Sequence, residues 1–204
     1  MEGSQTDLFD IIRSDLALVE QKLREGADAI FPPLAQAMLT LVNSGGKRLR
    51  PALALLAARF GPGAMLERLI CLGAAVETLH TATLVHDDLI DGASVRRGHQ
   101  TLSATWATAP VVLAGDYLFA RAAGFAADTH SVKVVQLFAA ALRTICDGEL
   151  RQLFGAFDLD QSQDTYYVRI FSKTASLFAV SAQAGAILSG ANPAIADALY
   201  NYGR

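Results

Sequence analysis

Cysteine is scarce: Cys71 and Cys146 are the only two in 204 residues, both lie in apolar helical patterns, and they share no metal-ligand spacing. A cysteine-based metal site has no support, and two buried free thiols in a reducing compartment are expected. Charge of one sign is scarce too. Seventeen Lys and Arg against twenty Asp and Glu leave a net charge of −3, and the basic residues gather only at Lys47 to Arg50 and at Arg96 to Arg97. A nucleic-acid surface is broader and more basic than that, whereas clusters of this size suit phosphate groups.

Long apolar runs without charge are also missing. The stretch 109–127 contains Asp116 and Arg121, and none reaches the roughly 18 clean residues that would argue for a transmembrane segment. The chain start carries acids too early for a secretory signal, so a cytoplasmic location is expected. Alternating β-branched runs are few and no repeat stands out, which leaves an all-α class.

What is present is apolar surface. With 52% apolar and 18% charged residues, the chain can offset its ordering entropy, and a single helical domain over 1–204 is expected. Leu8, Ile11, Ile12, Leu16, Val19 and Leu23 recur at helical spacing and predict an amphipathic first helix. Further helices are predicted from Pro33 to Val42, from Pro51 to Phe60, from about Ala64 to Ile90, from Val111 to Ala127 and from Val132 to Phe154. A polar connector at 158–164 precedes a helix from Thr165 to Leu188, with a kink, and Pro193 opens a short last segment.

The most informative stretch is His80 to Asp91, where three carboxylates enter an otherwise apolar helix. Asp87 and Asp91 differ by about 40° in direction and about 6 Å along the axis. Asp88 flanks them, and one acidic patch is expected. Like charges this close call for cations or protons, and oxygen-only ligands suit Mg²⁺ bridged to substrate phosphates. The competing reading is a solvated helix end. Arg96 and Arg97 follow by a turn, and guanidinium groups match phosphate oxygens; alone they read as surface charges. His80 sits about 10 Å down the same face, either donating to a second anion or satisfied by a carbonyl. His86 points about 100° from Asp87 and is given no role beyond a supporting hydrogen bond.

Gly45-Gly-Lys-Arg-Leu-Arg-Pro51, Leu84-Val-His-Asp-Asp-Leu-Ile-Asp91, Arg96-Arg97-Gly98, Gly115-Asp116-Tyr117, Gly148-Glu149 and Lys173-Thr174 form an ordered series that resembles the trans-polyprenyl diphosphate synthase family. The resemblance implies an isoprenoid synthase fold, a bundle of long helices around a central cavity, in a homodimer that joins isopentenyl diphosphate to an allylic diphosphate. It implies that Asp87, Asp88 and Asp91 bind Mg²⁺ with the allylic diphosphate. Arg96 is implied to hold that same group, and Lys173 and Thr174 match an allylic-side pair near the ionising C–O bond. Lys47, Arg50, His80 and Arg97 match positions for isopentenyl diphosphate. Glu149 and Gln152 can meet on one helix face, either at the site or as a buried polar contact. Tyr117, Tyr166 and Tyr167 read as packing residues.

If the acidic helix lines the cavity, Ala82 and Thr83 form the floor one turn below Asp87. Both are small, which favours a product longer than farnesyl. The family's second aspartate-rich motif does not occur before Arg204. The expectation is therefore a truncated piece with little turnover of its own; a noncatalytic or regulatory subunit of a heteromeric synthase is the alternative. A terpene cyclase would leave Gly45 to Pro51, His80 and Arg97 unexplained, and a purely structural domain would leave the acids unexplained.

Overall fold

The structure, a computed structural model, describes residues 8–27 and 30–204. Residues 1–7, where the reading of the chain start for a signal begins, lie outside the described residues. The order is a 3₁₀ turn Leu8–Ile12, α1 Arg13–Arg24, α2 Pro32–Asn43, α3 Leu49–Ala57, a 3₁₀ turn Ala58–Phe60 and α4 Leu66–Ile90. A two-stranded hairpin, β1 Val95–Arg96 and β2 His99–Gln100, leads to α5 Leu102–Thr105, α6 Thr108–Asp128 and α7 Val132–Phe154. Then come α8 Gln163–Ile170, a π-helical turn Phe171–Ala175, α9 Ser176–Leu188 and α10 Pro193–Gly203.

Helix ends sit where side chains can cap them. The Ser131, Ser162 and Asn192 side chains accept from the Val134, Thr165 and Ala194 amides at the starts of α7, α8 and α10, which satisfies donors that the helix leaves open. Pro32 and Pro193 occupy first-turn positions, where a missing N–H costs nothing. A π turn, Phe171–Ala175, interrupts the helix expected from Thr165 to Leu188. The hairpin was not anticipated, because a two-residue strand has no readable periodicity. Its turn residues Arg97 and Gly98 both have positive φ, 51° and 80°, the conformation of a tight two-residue hairpin loop.

α4 is the central helix. Every residue from Cys71 to Leu79 is buried, so this part is enclosed all round, with α6 packed along it and α1, α3 and α9 against its other sides. By length and composition α4 could cross a membrane, but 61% of its apolar window is buried inside the fold. The main core joins Val19, Leu55, Leu72, Leu79, Phe138 and Leu177. A second apolar cluster, with Met38, Ala82, Val85, Val111 and Leu118, lies toward the hairpin end.

Small residues let the helices close up. A Cβ on Gly185 of α9 would lie 2.1 Å from the Ala54 carbonyl oxygen of α3, and one on Gly73 would lie 2.8 Å from a Val19 methyl. Cys71 is buried as expected, but Cys146 is exposed. The buried residues of α7 are Val134, Phe138, Ala141, Ile145 and Gly148, and Cys146 is one residue, about 100°, off that stripe.

The close α3–α9 contact predicts opposite outcomes for two glycine-to-alanine changes. Gly185→Ala should lower unfolding free energy by about 1–3 kcal/mol through overpacking. Gly124→Ala, exposed in α6 with nothing within 4 Å of its added Cβ, should raise it by about 0.5–1 kcal/mol. Denaturant titration of the two variants reads both signs.

Candidate functional site

The buried centre of α4 gives way at its C-terminal end to polar residues, and two charged neighbourhoods form there. The first is cationic. The turn after α2 passes through Gly45, with φ of 77°, and Arg48, with φ of 47°, before α3 begins. Arg48 is deeply placed: it pairs with Glu77 at 2.8 Å and with Glu20, and donates to the Val42 carbonyl at 2.7 Å. Arg50 is half-buried with its guanidinium 4.4 Å over the Phe178 ring, and its buried Nε has no hydrogen-bond partner. Burial, assisted by Arg97 and opposed by Glu77, lowers its pKa. Arg97 donates to the Gly45 carbonyl, and Lys47 is exposed.

These side chains, with Gly46, Leu49 and His80, line an open recess of about 470 Å³. Burial and the surrounding Arg50, Arg97, Arg96 and Arg48 hold the His80 pKa down to about 3. The imidazole is therefore neutral at neutral pH and can donate one N–H. Several cations share only Glu77 as a carboxylate in the lining, and the buried Arg50 Nε still lacks an acceptor. An anion with several oxygens would complement the surplus of positive charge in this lining.

The second neighbourhood is acidic. Asp88 is buried and accepts from Arg96 Nε at 2.7 Å. Asp87 turns the other way, 3.7 Å from Lys173 Nζ, which also pairs with Glu149 at 2.7 Å. Asp91 is exposed and caps α4. The expected single acidic patch is thus divided, because adjacent helix residues diverge by about 100° and Arg96 draws Asp88 toward the hairpin. Burial raises the Asp87 pKa, and Glu149 and Asp91 add to the rise while Lys173 and Arg96 oppose it. Burial works against the Lys173 charge, but the ion pair with Glu149 and the neighbouring carboxylates outweigh it and raise its pKa.

Gly148 makes the Lys173–Glu149 contact possible. A Cβ there would lie 2.5 Å from that of Ser172 in the π turn, so a larger residue would push Lys173 away from Glu149. Among the described residues, no three His, Cys, Asp or Glu groups stand close enough to hold a metal by themselves. One or two carboxylates nevertheless fit Mg²⁺, which keeps waters and takes its other ligands from a phosphorylated substrate.

Other expected residues lie apart. Thr174 is exposed and faces a separate recess with Tyr167, Phe171 and Arg204, on the side away from Lys173. Ala82 is fully buried in the second apolar cluster, and half-buried Thr83 donates to the His80 carbonyl at 2.7 Å. Gln152 is half-buried and Tyr117 packs on the second cluster. Tyr166 and Tyr167 touch each other edge to face in an exposed position. His86 meets the Val112 carbonyl at 3.2 Å and the Phe119 ring. Sequence reasoning missed Arg48 and Glu77. Glu77, Thr81, Leu84 and Asp88 fall on one α4 stripe at spacings of four, three and four, which was the available signal.

Comparison with known proteins identifies the family. The family model described as polyprenyl synthetase matches residues 31–204. The chain is 41% identical over 196 residues to heptaprenyl diphosphate synthase component 2 of Geobacillus stearothermophilus, covering 96% of this chain and 61% of that protein. It superimposes on a decaprenyl diphosphate synthase of Rhodobacter capsulatus with a TM-score of 0.88 at 39% identity, covering 96% of this chain and 60% of that one. On a polyprenyl synthase of Caulobacter crescentus CB15, complexed with calcium and isoprenyl diphosphate, the TM-score is 0.86 at 40% identity, covering 100% of this chain and 62% of that one. The chain therefore spans about three-fifths of the length of these relatives. With the fold, the ordered motifs and the family model in agreement, this chain belongs to the polyprenyl synthetase family.

Proposed function

We propose that residues 1–204 act as one helical unit, the N-terminal portion of the family's domain. It binds the two substrates of an Mg²⁺-dependent prenyltransferase, isopentenyl diphosphate and an allylic prenyl diphosphate. The observation that carries this reading is a recess lined by Lys47, Arg48, Arg50 and Arg97 with Glu77 as its one carboxylate, beside the α4 end that carries Asp87, Asp88 and Asp91. Two anionic groups with different needs fit these two neighbourhoods.

On this reading Lys47, Arg50, His80 and Arg97 receive the isopentenyl diphosphate oxygens, with His80 as a neutral donor. On the resemblance, Asp87, Asp88 and Asp91 would hold Mg²⁺ with the allylic diphosphate, Asp88 once its contact with Arg96 has given way, and Mg²⁺ when bound takes up charge developing on the leaving diphosphate. Arg96 and Lys173 are the fixed cations beside it, with Thr174 assigned to the same side on resemblance. The allylic C–O bond breaks and inorganic diphosphate departs, the alkene of isopentenyl diphosphate supplies the electron pair for the new C–C bond, and a proton is lost. Charges that gain more in the transition state than in the ground state speed that step.

The small side chains Ala82 and Thr83 support a product longer than farnesyl, as do the heptaprenyl and decaprenyl names of two relatives. A cytoplasmic homodimer accompanies this reading. The word component in one relative's name favours a second reading, a subunit of a heteromeric synthase.

Three outcomes test the proposal. In calorimetry, Arg50→Gln should weaken isopentenyl diphosphate binding by at least about tenfold, or about 1.4 kcal/mol. Asp87→Asn should leave that affinity in place and abolish Mg²⁺-dependent binding of a non-ionising farnesyl thiodiphosphate; the reverse pattern would exchange the two assignments. In a radiolabelled condensation assay, the 204 residues should show very low turnover, since they carry a single paired-aspartate motif. Any products formed should be longer than C15; efficient turnover, or products of C10 or C15 alone, would count against the reading.

The third outcome concerns pH. The folded His80 pKa of about 3 lies below its ordinary 6.5, so the unfolded chain takes up the proton first as pH falls. This group's contribution to stability is complete above about pH 6.5 and is lost progressively as pH drops from 6.5 toward 3. His80→Asn should flatten the stability profile in that window, and the imidazole resonances of His80 should remain those of the neutral ring at pH 5. Titration near pH 6.5 would disprove the burial argument.

A further inference from the structure

The cationic recess has a support that the family match does not include. The matched residues start at 31, yet two residues one turn apart on α1 grip both ends of the turn that carries Lys47 and leads into Arg50 at the start of α3. Glu20 accepts from Arg48, at the start of α3, and pairs with Arg24 at 3.0 Å. Arg24 in turn donates to Asn43, the last residue of α2, at 3.1 Å. Glu77 on α4 takes the other edge of the Arg48 guanidinium at 2.8 Å.

This clamp has something to hold. Arg48 adopts φ of 47°, a left-handed backbone that costs a non-glycine residue energy unless its surroundings enforce it. Relaxing it would swing the residues on either side, Lys47 and Leu49, and with them Arg50. A lysine cannot replace Arg48, since one ammonium does not offer the planar fork that reaches two carboxylates and a carbonyl together. Glu20 does not line the recess, so any effect it has on a ligand there runs through Arg48.

We propose that Arg48 is a positioning residue, held by Glu20 of α1 and Glu77 of α4, that fixes the Gly45 to Arg50 turn so the anion recess is formed before its ligand arrives. The ligand assignment, though not the clamp, rests on the reading given under Proposed function. If the competent turn becomes a minor fraction of the ensemble, apparent affinity falls by that fraction.

The test uses the whole chain with Glu20→Gln, Arg48→Lys and the double variant. Amide hydrogen exchange should speed up at least about tenfold at Ala52, whose amide donates to the Arg48 carbonyl at 3.0 Å, in each variant while the central α4 amides stay unchanged. Isopentenyl diphosphate affinity should fall about tenfold or more, and the double variant should be no worse than Arg48→Lys alone, because both act through one contact. Unchanged exchange at Ala52 in Glu20→Gln, or additive losses of affinity, would overturn the proposal; so would exchange that quickens throughout the fold. If exchange responds as expected but the unmodified chain binds no isopentenyl diphosphate, the clamp stands and the substrate assignment fails.

Discussion

A small set of arginines, gathered around the C-terminal half of one central helix with fewer carboxylates than they need, governs how this site is built. Arg48 and Arg96 are satisfied by protein partners, Glu77 and Asp88. Arg50 is left with a buried Nε that nothing accepts from, and His80 is kept neutral by burial and by the positive charges around it. Burying cations without full compensation costs stability. The arrangement makes physical sense when an external anion supplies the missing acceptors.

The acidic side follows the same logic with the sign reversed. Lys173 bridges Asp87 and Glu149 from a π turn, while burial and the neighbouring carboxylates raise the Asp87 pKa. One lysine between those carboxylates leaves room for a second cation. Asp87 and Asp88 meet different cations because adjacent helix positions point about 100° apart, so one helix end presents one carboxylate to Lys173 and the other to Arg96. Packing sustains this division: Gly148 lets the π turn reach α7, and Gly115 leaves space for the His86 ring that would otherwise meet a Cβ at 2.1 Å.

Much of the helical order was legible. The apolar period marked α1 through α4, α6 and α7 to within a few residues, since amphipathic spacing and proline or glycine stops act locally. The hairpin was not legible, because four strand residues carry no period and its turn uses Arg97 at positive φ where asparagine or glycine is usual. The acids of α4 stood out by their spacing, yet the spacing alone suggested one patch. Arg96, eight residues on, decided where Asp88 would point.

From the chain alone came the all-α class, the motif order that resembles prenyl diphosphate synthases, and the residue types that suit Mg²⁺ and diphosphate, because these depend on chemistry and near-neighbour spacing. Only tertiary structure decided which charges meet. Glu20, Arg48 and Glu77 come from three helices up to 57 residues apart, and Asp87 finds Lys173 across 86 residues. Whether a charge is left wanting a partner depends on which others the fold brings within a few ångströms of it, and on how much water it excludes; neither quantity is written in any local stretch of sequence.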